Sequence, residues 1–270
     1  MADVLVTGAT GKVGRELVAG LVHDGRSVRA LARDPAKADL PDGVDVVAGD
    51  IRDPAAVDDH ARGVDAAFVL WPFMDADGVD AVTRALGRRV RRIVVLSAEA
   101  AAHRPDSFWA SIERATERTA REWTFLRPTG FAANTLMWAD QIRETRVVRW
   151  VYGEAARSLI DERDIAAVAA RALTEDRHAG ATYVLTGPEA LTQIEQVHRI
   201  GEAIGRDVRW QEIAREDVQH QLGGVPDTAL ETWASFVADP EVVTSTVEQV
   251  TGRPASTFRA WARRHADRFR

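Results

Sequence analysis

The sequence predicts an α/β protein whose centre is a doubly wound parallel sheet. Between Val4 and Leu185, short apolar runs alternate with stretches of helical periodicity, the order that parallel sheets require. The runs are almost continuously apolar, as strands are when helices cover both faces of their sheet. A glycine-rich turn joins the first run to the first helical stretch. The rest of the chain loses this alternation and predicts a smaller α/β lobe.

Seven strands and five helices are expected in the alternating part. The expected strands are apolar runs closed by turn or polar residues, at 4–6, 28–32, 44–48, 66–70, 93–96, 123–126 and 183–185. The expected helices have apolar residues every three or four positions, at 13–22, 54–62, 78–86, 107–121 and 164–173. Gly25 ends the first helix, and Pro54 suits the first position of the second.

The character of the chain changes after Pro188. A helix capped by Thr192, a strand over 208–213 and three further helical stretches follow. The lobe is expected to lie over the carboxyl edge of the sheet, where open parallel sheets bind ligands, so that substrate sits between lobe and sheet. The predicted domains are a main domain and a small substrate lobe, made respectively of residues 1–136 plus 155–188 and of residues 137–154 plus 189–270.

Charge and composition exclude several classes of protein. The 270 residues carry 35 basic and 41 acidic side chains, and the net charge of −6 disfavours nucleic-acid binding. Arginines near the C-terminus border an apolar helical stripe and are interpreted as its solvated rim. The chain has no cysteine, which excludes disulfides and thiolate sites, and its seven histidines lack ligand spacing, so no metal is expected.

The location follows from the apolar pattern. No apolar run approaches the roughly 18 residues that span a membrane, so no membrane partner is expected. The first residues lack the pattern of a signal peptide. A cytoplasmic location is therefore expected, while the oligomeric state stays open.

Residues 7–14 read Thr-Gly-Ala-Thr-Gly-Lys-Val-Gly and join the first strand to the first helix. Gly8 suits a tight turn, Gly11 lets the backbone approach a pyrophosphate, and Gly14 allows close packing of helix on strand. The amino end of the helix offers N–H groups and a partial positive charge to the same pyrophosphate. The turn predicts a dinucleotide in a Rossmann-type domain, with a purely structural turn as the alternative.

The end of the second strand indicates which dinucleotide binds. NAD sites place a carboxylate there for the ribose, whereas NADP sites place an arginine for the 2′-phosphate. Arg33 occupies this position, and Lys37 adds a second charge. NADP is therefore expected. Asp34 leaves NAD as an alternative coenzyme. The alternative role for Arg33 is a surface ion pair with Asp34.

Asp50 and Ile51 follow the third strand and are expected beside the adenine. The carboxylate of Asp50 can accept a hydrogen bond from the exocyclic amine while Ile51 packs on the ring. The alternative is that Asp50 only caps the helix that begins near Pro54.

Further stretches extend the pattern beyond the glycine-rich turn. They are Ala-Arg-Asp-Pro-Ala-Lys at 32–37, Gly-Asp-Ile at 49–51, Leu-Arg-Pro-Thr-Gly-Phe-Ala-Ala-Asn at 126–134 and Thr-Gly-Arg-Pro-Ala-Ser-Thr-Phe-Arg-Ala-Trp at 251–261. With residues 7–14 they resemble the NmrA-like, atypical short-chain dehydrogenase/reductase family over nearly the whole chain. Proteins of this kind include NAD(P)H-dependent quinone reductases and non-catalytic NADP sensors that regulate transcription through partners.

The resemblance implies an NADP-binding fold with a small C-terminal substrate lobe. It also implies roles by motif position. The residues implied at the phosphates are Gly8, Thr10, Gly11, Lys12, Val13, Arg33 and Lys37; those at the adenine are Asp50 and Ile51; those after strands that line the nicotinamide are Leu70, Trp71, Ser97 and Pro128.

The Tyr-x-x-x-Lys pair of most short-chain reductases is absent. The two tyrosines, Tyr152 and Tyr183, have no lysine four positions on, and Trp109 and Glu113 stand where the pair is expected. In such pairs the tyrosine passes a proton to the carbonyl oxygen during hydride transfer. A quinone needs no strong acid, because its reduced oxygen is phenol-like, with a pKa near 10. The acceptor is therefore expected to be a flat conjugated carbonyl, a quinone or an iminium ion.

Three side chains are candidate catalytic groups. Ser97 and Thr129 end the fifth and sixth strands and can donate a hydrogen bond to an acceptor oxygen, with helix or turn capping as the alternative. His103 titrates in the range of a proton donor, although a solvated loop histidine is the simpler interpretation. The expected substrate pocket contains four aromatic residues that can stack on a flat ligand, with ordinary packing as the alternative for the tryptophans, and one carboxylate that faces the pocket or anchors its helix: Trp71, Trp109, Phe131, Trp138 and Glu113.

Three functions agree with these residues. The first is an NADPH-dependent oxidoreductase that acts on a small molecule. The second is a redox-responsive protein that binds NADP and changes partners without turnover. The third is a reductase fold recruited to non-redox chemistry.

Overall fold

The computed structural model describes residues 3–270. Its strands are β1 (Val4–Thr7), β2 (Val28–Ala32), β3 (Asp45–Ala48), β4 (Ala66–Leu70), β5 (Arg92–Leu96), β6 (Glu122–Pro128), β7 (Val147–Trp150), β8 (Ala156–Arg157), β9 (Ala181–Leu185), β10 (Leu191–Thr192) and β11 (Arg209–Glu212). Its α-helices are α1 (Lys12–His23), α2 (Pro54–His60), α3 (Val79–Arg89), α4 (Phe108–Thr119), α5 (Ala139–Thr145), α6 (Glu162–Thr174), α7 (Gln193–Ile204), α8 (Val218–Gln221), α9 (Asp227–Ala238), α10 (Thr246–Thr251) and α11 (Phe258–Arg264).

Seven strands form one parallel sheet in the order β3-β2-β1-β4-β5-β6-β9. Val4 pairs with Val28 on one side and with Ala66 on the other, so the strand order reverses at β1. Helices flank the sheet, and the predicted Rossmann-type doubly wound fold is confirmed. The reversal leaves a crevice beyond the carboxyl ends of β1 and β4, where ligands of such sheets bind.

The two faces of the sheet are covered by different helices. Alternate side chains such as Leu5 and Val95 join a buried cluster with apolar residues of α2, α3 and α4. The intervening residues, such as Phe68, are also fully buried. They point to the opposite face, since side chains alternate along a strand, and there α6 packs against α1 and against β4 to β6. Burial on both faces explains why these strands are almost continuously apolar.

The chain divides into two compact units. The first holds the residues through Thr129 together with Glu162–Leu185 and Thr246–Arg253. The second holds Gly130–Asp161, Thr186–Ser245 and Pro254–Arg270. These units differ from the predicted boundaries, because residues 130–136 and 155–161 group with the second unit and α10 groups with the first. The division into separate domains stays a prediction.

The second unit has two small sheets. In one, β7 and β11 pair in parallel, and in the other β8 and β10 pair antiparallel. Its core contains the fully buried Trp138 and Trp261. The predicted cap of α7 is confirmed, since the Thr192 hydroxyl accepts from the Glu195 amide and the Glu195 carboxylate accepts from the Thr192 amide.

The C-terminal part of the chain is more helical than expected. Four α-helices rather than three follow Ile213 within the described residues. The last of them, α11, buries Phe258 and Trp261 as its apolar stripe predicts, and rim arginines pair with acids, among them Arg259 with Glu202 at 3.0 Å. Between Asp3 and Arg270, no helix has both the length and the apolar character needed to cross a bilayer.

Candidate functional site

The turn between β1 and α1 presents a helix amino end to solvent. Gly8 has φ +62°, a conformation that L-residues rarely adopt, and its carbonyl accepts from the Gly11 amide at 2.9 Å. Gly11 is the N-cap of α1 and gives it no side-chain hydrogen bond. The first turn of α1 therefore offers backbone donors and the positive end of the helix dipole to an anion.

The other two glycines of the turn differ in their surroundings. A Cβ at Gly14 would lie 2.1 Å from the Gly8 carbonyl oxygen, so any side chain there separates the helix from the turn. A Cβ at Gly11 would meet only that same oxygen, at 3.2 Å, and otherwise open space. Gly14 thus serves packing, whereas Gly11 keeps the approach to the helix end clear.

A cavity of about 310 Å³ lies at the reversal of strand order. Its walls come from the carboxyl ends of four strands and the loops that follow them: Thr7, Gly8, Thr10 and Gly11 after β1, residues 31–33 of β2 and its end, residues 49–51 after β3, and Leu70, Pro72 and Phe73 after β4. Seven residues predicted at the coenzyme therefore line one space, namely Gly8, Thr10, Gly11, Arg33, Asp50, Ile51 and Leu70. Lys12 and Val13 lie beside it in the first turn of α1.

A second cavity, of about 380 Å³, lies beside the first and shares Thr10, Ala32 and Arg33 with it. Asp34 and Lys37 complete its wall, and the Lys37 ammonium lies 2.8 Å from the Asp34 carboxylate. Arg33 is exposed and has no protein partner among residues 3–270. The surface pair that was the alternative for Arg33 is therefore absent, because Asp34 pairs with Lys37. A free guanidinium on a cavity wall is suited to hold a phosphate.

Asp50 lines the first cavity and does not cap a helix. Its carboxylate accepts from the Arg52 amide at 2.9 Å, whereas the cap of α2 is Asp53, which accepts from the Ala55 amide at 2.9 Å. The capping alternative for Asp50 is wrong, because the helix begins three residues later than that role requires.

The loop after β4 contributes residues that the sequence did not indicate. Phe73 lines the first cavity, and the Arg52 guanidinium lies 3.6 Å from the centroid of its ring. Arg52 is held by Asp75 at 2.6 Å. Phe73 and Pro72 follow no periodic pattern, and only the strand end at Leu70 and the adjacent Trp71 pointed to this loop.

Trp71 lies in the hydrophobic core of the first unit. Its side chain is buried with residues of α3, and its indole N–H donates to the Asp75 carbonyl at 2.7 Å. It therefore positions the loop that carries Phe73. Trp71 does not line the first cavity, and its contact with substrate stays a prediction.

The candidate catalytic residues of the first unit have different surroundings. Ser97 is buried, and its hydroxyl has no hydrogen-bond partner among the described residues. Thr129 follows the buried Pro128, and its amide donates to the Leu185 carbonyl. His103 is 74% exposed and lies 2.7 Å from the Glu99 carboxylate. Ser97 is thus the candidate whose hydroxyl lacks a hydrogen-bond partner in the part of the chain that the structure describes.

Glu113 anchors α4 to the sheet. Both of its carboxylate oxygens accept from Arg127 of β6, at 2.9 and 2.6 Å, and the side chain is 7% exposed. The hydrogen bonds from Arg127 to Glu113 raise the pKa of Arg127. Of the two roles left open for Glu113, the structure supports the anchor. Trp109, one turn earlier on α4, is half-buried beside Phe108, with 4.1 Å between ring centroids.

Two predicted pocket residues belong to the second unit. Trp138 lies in its core, 2% exposed, with its ring edge-on to Trp210 at 6.0 Å. Stacking of this indole on a flat ligand was expected, and the structure corrects this, since core side chains surround the ring. Phe131 is half-buried and forms an isolated backbone bridge with Ile160.

Comparison with known proteins identifies the family. The model of the NmrA-like family matches residues 2–261. The chain belongs to the NmrA-like family. The resemblance inferred from the sequence motifs is confirmed.

Two curated relatives of this NmrA-like protein match almost end to end. It is 40% identical to the (4-alkanoyl-5-oxo-2,5-dihydrofuran-3-yl)methyl phosphate reductase of Streptomyces griseus, over 98% of this chain and 99% of that protein. It is 36% identical to the NAD(P)H azoreductase of Xenophilus azovorans, again over 98% and 99%. The prediction of a reductase agrees with both names, and the prediction of NADP as its coenzyme agrees with the name of the azoreductase.

A solved structure has the same fold. The NADPH-dependent quinone oxidoreductase of Escherichia coli, complexed with NADPH, superposes with a TM-score of 0.82 at 24% identity. The match covers 97% of this chain and 99% of that one. The likeness extends over both compact units.

Proposed function

We propose that this NmrA-like protein is an NADPH-dependent reductase that delivers hydride to a small, planar, conjugated acceptor. The observation that carries the proposal is Arg33, whose guanidinium lies exposed on the wall of two adjoining cavities and has no partner in the described part of the chain. Such a charge beside a glycine-rich turn is suited to the extra phosphate of NADP. The named relatives support a reductase.

The first cavity fits the adenosine and pyrophosphate of the coenzyme. Gly11 and the amino end of α1 would hold the pyrophosphate, with Lys12 and Val13 adjacent. Asp50 and Ile51 would contact the adenine, together with Phe73, which lines the same cavity. Arg33 would hold the 2′-phosphate, and Lys37 would add charge next to it. NAD should bind less tightly, because the Asp34 carboxylate that would bind its ribose forms an ion pair with Lys37.

When bound, NADPH supplies hydride at its nicotinamide ring. This chain must then stabilise charge on the acceptor, and no Tyr-x-x-x-Lys pair is available in the sequence. The Ser97 hydroxyl, buried and unpartnered among the described residues, is the best candidate to donate a hydrogen bond there. Pro128 and Thr129, at the carboxyl end of the neighbouring strand β6, would lie on the same side of the acceptor site as Ser97. His103 is too exposed to be preferred.

The proposed acceptor class follows from this weak acid. A serine hydroxyl does not protonate a strongly basic alkoxide, but it can stabilise a phenolate or an enolate. The names of the relatives contain an acyl-substituted unsaturated lactone and an azo group, both conjugated. We therefore propose quinones, conjugated enones and related flat compounds as substrates, bound beside Trp109. A cytoplasmic location stays a prediction.

The test is the oxidation of NADPH by the purified protein with quinones, conjugated enones and azo dyes. Turnover with at least one class, and a preference for NADPH over NADH, is expected. Tight binding of NADPH without turnover across all classes would favour the non-catalytic sensor instead. Product formation without NADPH consumption would favour non-redox chemistry.

A matched pair of variants ties turnover to the turn after β1. Gly11→Val should abolish NADPH oxidation, because its side chain enters space that opens to the cavity. Gly20→Val, in the same helix, adds the same side chain where nothing lies within 4 Å. The second variant should retain wild-type turnover, and equal loss in both would contradict the assignment.

A further inference from the structure

Arg15 links two segments that contribute residues to the second cavity, namely the turn with Thr10 and the segment with Arg33, Asp34 and Lys37. Its Nε donates to the Thr10 carbonyl at 3.0 Å, and Thr10 lines both cavities. Its Nη1 donates to the Asp39 carbonyl at 2.6 Å and to the Asp39 carboxylate at 3.1 Å. Asp39 ends the segment 33–39 that follows β2 and contains Lys37. One side chain thus connects the glycine-rich turn to that segment.

The conformation of Asp39 indicates that this connection holds the segment in place. Asp39 has φ +32°, which L-residues adopt at an energetic cost. Its side chain is 92% exposed, so packing does not enforce the strained backbone. The hydrogen bonds from Arg15 reach both its backbone and its side chain. Ala38, next to it, is 2% exposed and fixes the other end of the turn.

We propose that Arg15 is a positioning residue that sets the preference for NADPH over NADH by fixing the width of the second cavity. This cavity, lined by Arg33 and Lys37, is called the phosphate cavity. This inference rests on the proposed function. Arg15 and Arg33 differ in their hydrogen bonds. The guanidinium of Arg15 donates to Thr10 and Asp39, whereas that of Arg33 has no protein partner among residues 3–270. Arg33 contacts the 2′-phosphate, and Arg15 holds the walls between which that phosphate fits.

The planar guanidinium is required for this task. It directs donors to two acceptors from different segments at once, which a lysine ammonium on a flexible stem does not reproduce. Arg15→Lys should therefore keep the net charge and lose part of the preference. Arg15→Gln should lose most of it.

The experiment measures the dissociation constants of NADPH and NADH by calorimetry for wild type, Arg15→Gln, Arg15→Lys and Arg26→Gln. Arg26 is exposed, lies just beyond the end of α1 and has no side-chain partner among the described residues, so Arg26→Gln is the matched control for lost charge. Arg15→Gln should weaken NADPH about tenfold. NADH affinity should change by less than about twofold, because NADH has no phosphate in this cavity.

A double variant separates positioning from a direct contact. If Arg15 acts through the phosphate cavity, adding Arg15→Gln to Arg33→Ala should cost little further NADPH affinity, since the contact being positioned is already lost. Fully additive losses, equal losses for both coenzymes, or wild-type NADPH affinity in Arg15→Gln would each overturn the inference.

The proposed function can fail separately. If wild type binds neither coenzyme, the proposed function and this inference fall together. If wild type prefers NADPH and Arg33→Ala removes that preference while Arg15→Gln does not, only the role of Arg15 is wrong. Thermal unfolding of all variants guards against misfolding as the cause of weak binding.

Discussion

The two edges of the seven-stranded sheet hold arginines in opposite circumstances. At the amino edge, the side chain of Arg92 is 0% exposed and lies 2.8 Å from both Glu122 and Asp176. It also donates to the carbonyls of Ala172 and Leu173. At the carboxyl edge, Arg33 is exposed and none of the residues 3–270 pairs with it. The guanidinium of Arg92 thus has hydrogen-bond partners within the protein, whereas that of Arg33 has none among the described residues.

The difference separates stability from function. A buried charge must be paired and hydrogen-bonded within the protein, because removing it from water is costly. The hydrogen bond that Arg92 donates accordingly lowers the pKa of Asp176, and the hydrogen bonds that Arg91 donates to Asp65, Asp176 and Glu122 raise the pKa of Arg91. A charge or hydroxyl that has no hydrogen-bond partner within residues 3–270, such as Arg33 or Ser97, is available to a ligand. Substitutions at the two edges should therefore affect different measurements.

The largest effect is expected at the amino edge. Arg92→Met should reduce the free energy of unfolding by about 2–4 kcal/mol, because two backbone carbonyls lose their donor and Glu122 loses one of its two arginines. Urea unfolding measures this loss. The affinity of the folded protein for NADPH should stay unchanged, and a stability equal to wild type would show that the network does not stabilise the sheet.

Arg33→Ala should have the opposite profile. It should weaken NADPH by about 1.5–3 kcal/mol, the range for a lost hydrogen bond to a charged group, and leave NADH nearly unchanged. Its unfolding free energy should stay within about 0.5 kcal/mol of wild type, since the side chain has no hydrogen bond or ion pair to lose among residues 3–270. Calorimetric titration with each coenzyme measures the difference. Equal weakening of both would remove Arg33 from the 2′-phosphate.

Ser97→Ala should have a smaller effect, confined to turnover. Loss of one neutral donor should slow NADPH oxidation roughly twofold to tenfold while NADPH affinity changes little. Ser111→Ala is the matched control, because that hydroxyl lies on α4 and donates to the carbonyl of its N-cap residue Ser107. Steady-state rates with a quinone compare the two. Unchanged turnover in Ser97→Ala would leave the acceptor oxygen without its proposed donor.

The smallest effect concerns pH and again belongs to the amino edge. Burial lowers the pKa of His178, which is 2% exposed. At a pH below about 6.5, the ordinary pKa of histidine, the unfolded chain therefore binds more protons than the folded one. The free energy of unfolding should accordingly fall as the pH drops below about 6.5. His178→Gln should flatten the slope of unfolding free energy between about pH 7 and about pH 5. Identical slopes would contradict this.

The sheet was largely predictable from the sequence. The strands 28–32 and 66–70 have the predicted bounds, because apolar runs between polar turn residues are a local signal. The three glycines of the first turn also have surroundings that match their predicted roles. Strand β7 was missed because its four residues alternate poorly and pair with β11 some sixty residues later in the chain.

The site was less predictable where partners lie far apart in the sequence. Glu113 is fixed by Arg127, and Arg15 by Asp39, and neither pair has a local spacing that indicates a contact. Phe73 lies in a loop without periodicity. Trp138 was expected at a ligand because it is aromatic and follows the sixth strand, yet tertiary packing places it in a core.

The most direct test is calorimetric titration of the purified wild-type chain with NADPH and with NADH. We expect one NADPH bound per chain, with higher affinity than NADH. Absence of heat and of any other binding signal for both coenzymes would contradict the assignment of the cavities at the carboxyl edge.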